Sequence, residues 1–127
     1  MSRSLREGQA ADRSHSVGAT DTATALGSGD VAVLATPRLL AWMEAATVAV
    51  VDGRLDQGST SVGTRVELQH LAASPVGEHV AVRAELAAVD GRRLEFDVEA
   101  RHDDGAVVAR GRVTRMIVDR SRFAGSG

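Results

Sequence analysis

The chain has no cysteine, no lysine and no tyrosine. Without cysteine there can be no disulfide, no thiolate nucleophile and no zinc–thiolate site. All 15 basic residues are arginine, which excludes Schiff-base and P-loop lysine chemistry. Two phenylalanines and one tryptophan are the whole aromatic set, too few for stacking on bases or sugars. A surplus of one charge is also missing. Fifteen basic and 17 acidic residues leave a formal net charge of −2, so bulk electrostatics give no footing for nucleic acid. Long apolar runs are absent too. The longest, Leu39–Val51, is broken by Glu44 and Thr47 and is too short to span a bilayer. Met1–Gly8 is polar and carries Arg3, Arg6 and Glu7, so no signal-peptide core is expected there. The expectation is a cytoplasmic protein that neither spans nor binds a membrane.

What is present suits one domain. A chain of 127 residues and 13.3 kDa can bury roughly two-thirds of its surface around one core, and two full domains would be crowded. Residues 1–12 read as a flexible tail, 13–123 as the folded unit and 124–127 as a short C-terminal tail. A short strand is expected near Arg13–Gly18. Leu26-Gly27-Ser28-Gly29-Asp30 signals a loop.

The clearest element is a helix from Pro37 to about Asp52. Thr36 is a suitable N-cap, Pro37 suits the first turn, and Asp52-Gly53 supplies the stop. Apolar residues surround this helix on all sides, so it should be the central element of the core. Four runs with period-two alternation follow, the mark of half-buried strands. In Thr60–Leu71, Val62, Thr64, Val66, Leu68 and His70 share one face, and Ser61, Gly63, Arg65, Glu67 and Gln69 the other. The runs at 79–88, 93–101 and 107–117 alternate likewise. Asp90-Gly91 and Asp104-Gly105 read as hairpin turns, and Pro75-Val76-Gly77 as the turn before them. The fold class is therefore α+β: an antiparallel sheet of five to six strands wrapped around one apolar helix, the hot-dog arrangement.

Functional residues are sought where this patterning breaks its own rule. Glu44 is the only carboxylate within the apolar helix. It must be protonated, partnered or open to a cleft, because an unpaired buried carboxylate is costly. It either marks a wet strip of the helix or carries chemistry. His70 ends an apolar row and should face the helix, as a satisfied core histidine or as a partner of Glu44. Arg115 shares the row of Val113 and Ile117, and it snorkels unless an acidic partner is near. Thr36 is fully explained as a cap, yet hydroxyl, carboxylate and imidazole together are the parts of a nucleophile–base site. His15, His79 and His102 read as solvent groups. No metal-ligand spacing such as HExxH occurs, and no cofactor is implied. Arg92-Arg93, Arg110/Arg112 and Arg120/Arg122 read as solvated faces.

Several motifs taken together point to a family. Ala35-Thr36-Pro37, Trp42-Met43-Glu44, Ser61-Val62-Gly63-Thr64, His70-Leu71-Ala72-Ala73-Ser74-Pro75 and Val89-Asp90-Gly91-Arg92-Arg93-Leu94 resemble the fluoroacetyl-CoA thioesterase type of hot-dog protein. The stretch from Gly111 through Arg115 to Phe123 does so too. The resemblance implies a homodimer that hydrolyses acyl-CoA to free acid and CoA. It implies Thr36, Glu44 and His70 as the catalytic set, with Gly63 and Arg115 lining the acyl site. Glu44 would act as base or nucleophile, Thr36 would orient it and His70 would handle protons. The family's phenylalanine gate ahead of the threonine has no counterpart here. Gly27–Leu34 contains no aromatic, and Asp30 stands where the gate would be. Thioester chemistry is thus expected without a strong preference for the fluorinated substrate. The competing expectations are a non-catalytic hot-dog module that binds acyl-CoA or another small molecule, and an enoyl-CoA hydratase. The latter needs an Asp–His pair that is missing at the helix entrance.

Overall fold

Alternation in the chain becomes one five-stranded antiparallel sheet in the computed structural model, which describes residues 5–124. The strands are β1 (Ala10–Ser16), β2 (Ser59–His70), β3 (His79–Asp90), β4 (Arg93–Arg101) and β5 (Val107–Asp119). A 3-10 turn (Ala19–Asp21) and a one-turn helix α1 (Ala23–Leu26) lead to the main helix α2 (Thr36–Val51), and a short α3 (Arg120–Ala124) ends the described chain. Most of the expected C-terminal tail lies outside the described residues.

The spatial order is β1-β3-β4-β5-β2. The last three strands form the expected meander, with Gly91 at φ +59° in the β3–β4 turn. β2 does not lie beside β3, however. The connection 71–78 crosses the end of the sheet, so β2 pairs only with β5 and forms one edge. β1 forms the other edge against β3. It starts at Ala10, inside the segment expected to be a tail. Pairing anchors the described part of that segment, from residue 5 on: Gly8 N–H donates to the Leu86 carbonyl and Leu86 N–H to the Gln9 carbonyl, each at 2.8 Å, and Leu5 is buried.

α2 lies on the concave face, packed chiefly on β3 and β1 and more lightly on β4 and β2. Leu39, Met43, Ala46 and Val50 meet Val80, Val82, Leu86, Leu94 and Phe96 in the core. Each large apolar side chain so buried contributes about 1.5–3 kcal/mol. Burial is not all-round as the apolar sequence suggested. Ala41, Ala45 and Val48 remain exposed on the stripe that also carries Glu44. The convex face is a field of exposed ion pairs, among them Arg83–Asp12 and Arg112–Asp97 at 3.0 Å. It is the solvated face the charges implied. Among the described residues no helix is long and apolar enough to cross a membrane.

Candidate active site

A β-bulge places the site residues. Val62 pairs with Met116 and Gly63 with Arg115, but Arg65 then pairs with Thr114, leaving Thr64 as an extra residue. Alternation along β2 therefore changes parity at Gly63. Ser61 and Gly63 join Val66, Leu68 and His70 on the helix side, and Val62 turns away. Simple alternation alone puts Gly63 and Ser61 on the opposite face from His70.

The first cluster forms around Glu44. A Cβ at Gly63 would stand 2.5 Å from Glu44 Oε2, so only glycine lets strand and carboxylate approach this closely. Arg115 Nη1 lies 3.8 Å from the same oxygen. Arg115 is buried, and its Nε and Nη2 donate to the Ser61 hydroxyl and carbonyl at 2.8 and 3.0 Å. Burial pushes its guanidinium below the ordinary value, and the Glu44 charge opposes that shift. Glu44 is thus both partnered and open: its side chain is 37% exposed. Arg115 has the acidic partner that separates a structured role from snorkelling.

The second cluster is Thr36 with His70. Their Oγ1 and Nδ1 atoms lie 2.7 Å apart. This contact overturns the capping role. Ala35 is the N-cap, no side chain caps α2, and Thr36 is its first residue. A missing side-chain cap forgoes about 1 kcal/mol of helix stability, and here the hydroxyl serves the imidazole instead. Burial pushes the His70 pKa below its usual value, with backbone hydrogen bonding at Ala72 opposing, which favours the neutral ring. Its Nε2 is buried and has no hydrogen-bond partner among the described residues. The pair lines a shallow, open cavity of about 280 Å³, together with Ala23, Ser28, Val33, Leu34 and the 71–73 loop. Asp30 and Val31 of the gate segment are exposed.

The five residues singled out in the sequence therefore gather in two groups, Thr36/His70 and Glu44/Gly63/Arg115. Thr36 and Glu44 sit about 12 Å apart along the helix axis, at 1.5 Å per residue. Among the described residues no three His, Asp or Glu side chains are grouped to hold a metal ion.

The sequence model of a family described as fluoroacetyl-CoA-specific thioesterase matches residues 17–121. The chain belongs to that family. A fluoroacetyl-CoA thioesterase from Streptantibioticus cattleyicolor is 37% identical over 91 residues, which cover 72% of this chain and 65% of the relative. The match thus spans just under two-thirds of that relative's length. A Thermus thermophilus protein of the thioesterase superfamily superposes with a TM-score of 0.90 at 26% identity, covering 98% of this chain and 91% of the other. A phenylalanine-to-alanine variant of the fluoroacetyl-CoA-specific thioesterase, solved with fluoroacetate and CoA, has a TM-score of 0.84 at 31% identity and covers 94% and 99%. With the five-stranded sheet and its helix, these likenesses make the fold of this family member the hot dog.

Three polar residues escaped the pattern. Simple alternation places Ser61 on the wrong face, and it holds Arg115. His102 reads from the sequence as a solvent group, yet its Nε2 lies 2.6 Å from the hydroxyl of fully buried Ser74. His15 reads likewise, but it stacks on Trp42 with ring centroids 4.2 Å apart. None carried a sequence signal, because each partner comes from a distant element.

Proposed function

We propose that this member of the fluoroacetyl-CoA-specific thioesterase family is a cytoplasmic homodimer that hydrolyses short- or medium-chain acyl-CoA without a metal. The observation that carries the reading is the 2.7 Å Thr36–His70 contact lining a shallow, open cavity, with burial favouring the neutral His70 ring. Water attacks the thioester carbonyl carbon with Glu44 taking its proton, or Glu44 attacks first and water then hydrolyses the acyl-glutamyl anhydride; on either route the C–S bond breaks and the CoA sulfur leaves with a proton. Glu44 serves as base or nucleophile, Thr36 orients the reacting group and His70 carries the proton. Gly63 keeps the strand backbone close to the carbonyl, where its N–H stabilises developing charge.

The two-group layout supports the homodimer. β2 is an unpaired edge, and edges of this kind are normally covered. The stripe of Ala41, Ala45 and Val48 on α2 and the exposed Val66 on β2 are apolar. Two copies related by a two-fold axis along the β2 edges bury both, and bring Thr36 and His70 of one copy toward Glu44 of the other.

Free-thiol release from a panel of acyl-CoAs tests the chemistry, and sedimentation tests the assembly. Metal-free release from short or medium acyl chains by a dimer is expected. CoA binding without thiol release would reduce the protein to a binding module. A clean monomer at micromolar concentration would overturn the shared site.

A further inference from the structure

Loop 71–78 runs from β2 at one edge of the sheet to β3 near the other. Where it crosses, it is fastened at Ser74, which has no exposed surface. The Ser74 hydroxyl lies 2.6 Å from Nε2 of His102, in the turn between β4 and β5. Its carbonyl accepts a 2.8 Å hydrogen bond from the Leu34 N–H. One residue further on, Pro75 bridges Val33. His102 is itself fixed, since its N–H donates to the Ala106 carbonyl and its carbonyl accepts from Gly105, both at 2.9 Å. At the start of the loop, Leu71 and Ala72 both donate to the Val108 carbonyl, at 2.7 and 3.2 Å.

Ser74 thus ties three segments together. Leu34 stands two residues before Thr36, and Ser74 four residues after His70. The two stretches of chain that meet in the Thr36–His70 contact are joined to each other at this serine. The serine is anchored in turn on the β4–β5 turn, which itself carries none of the five site residues. An apolar side chain would fill the same buried space, but it would not fix the direction of the loop. A hydrogen bond between two placed groups does, and in a low-dielectric setting it does so firmly. Hydrolysis by groups on two different elements needs that firmness, because a displacement of about 1 Å can cost about 10²-fold in rate.

We propose that Ser74 and His102 are positioning residues: their hydrogen bond holds the 71–74 loop and the start of α2 so that Thr36 and His70 meet. The proposal rests on the reading of Thr36 and His70 as reacting groups. Neither Ser74 nor His102 lines the cavity at the Thr36–His70 pair. Their effect reaches the reaction through the backbone on either side of the pair.

The test uses the full chain and two variants that delete the bond from opposite ends, Ser74→Ala and His102→Ala. Two others keep it, Ser74→Thr and His102→Gln. Thermal unfolding, kcat and KM for an acyl-CoA the wild type hydrolyses, and the NMR titration of the His70 ring are measured on each. The deletion variants are expected to stay folded and to lose about tenfold or more in kcat, with KM within about twofold. Their His70 midpoint rises toward the ordinary histidine value as the ring takes up water. The conservative variants retain most of kcat and the wild-type midpoint. Wild-type kcat in a folded deletion variant overturns the proposal. So does a loss that follows the folded fraction while the His70 midpoint stays fixed. His102→Ala, on the partly exposed partner, decides the matter if Ser74→Ala does not fold. A wild type that releases no thiol from any acyl-CoA would sink the proposed function, and the His70 midpoint in His102→Ala would still report whether the loop is held.

Discussion

Gly63→Ala separates chemistry from stability more cleanly than any other single change. Gly63 has no positive φ, so alanine meets no backbone strain there. The whole effect comes from the added Cβ, which would stand 2.5 Å from Glu44 Oε2 and 3.6 Å from Arg115 Nη1. Ordinary van der Waals contact begins at 3.4 Å, so the carboxylate must withdraw by roughly 1 Å. It can do so, because it ends a flexible side chain that is 37% exposed. The folding cost is therefore small, and the lower entropy of the unfolded alanine chain offsets it by about 0.4–1 kcal/mol. The reaction has no such freedom. A carboxylate displaced by about 1 Å should lower turnover about 10- to 100-fold. Gly111→Ala is the control. A Cβ there would overlap the Glu67 backbone carbonyl, which cannot swing aside. The strands must part, at a cost of about 1–3 kcal/mol. Thiol-release kinetics and thermal denaturation on the same preparations read both effects. The expected pattern is a stable, slow Gly63→Ala and a destabilised Gly111→Ala. A Gly63→Ala protein with full turnover would refute the reasoning, since Glu44 would then tolerate displacement.

Three further outcomes follow from the same geometry. Glu44→Gln should lower hydrolysis by about 10²-fold or more, the scale for losing a positioned acid or base. Its melting point should change little, because the 3.8 Å pair with Arg115 is solvent-screened on the Glu44 side and is worth at most about 1 kcal/mol; a large fall in stability with activity tracking the folded fraction would assign Glu44 to structure. The pH profile of kcat/KM should show an acid limb with its midpoint below 6.5, because burial favours neutral His70. The same depression contributes stability that is full above pH 6.5 and is lost as pH falls through the folded value, so a limb above 6.5 would exclude His70 as its source. Acetyl-CoA and fluoroacetyl-CoA should be hydrolysed with similar kcat/KM, because residues 27–34 hold no aromatic side chain beside the cavity, and a large preference for the fluorinated substrate would show selectivity arising elsewhere.

By itself the sequence determined the architecture and the residue types of the site. Period-two runs specify strands, an apolar segment opening on Pro37 and closing at Asp52-Gly53 specifies the helix, and short turns specify a meander. Glu44, His70 and Arg115 stood out because a charge on an apolar face demands a reason, which local pattern alone can show. What the tertiary structure decided depends on partners far along the chain. Pairing with β5 creates the bulge that turns Gly63 toward Glu44, and a single added residue leaves no trace in an alternation that looks regular on both sides. Thr36 reads locally as a cap, and only the arrival of His70 across the fold draws its hydroxyl away. His102 and Ser74 look like turn residues until loop 71–78 crosses the sheet and buries one against the other. Periodicity reports which face a residue presents. The register of the neighbouring strand and the path of a loop decide what that face meets, because hydrogen bonds and close contacts form between groups the sequence keeps apart.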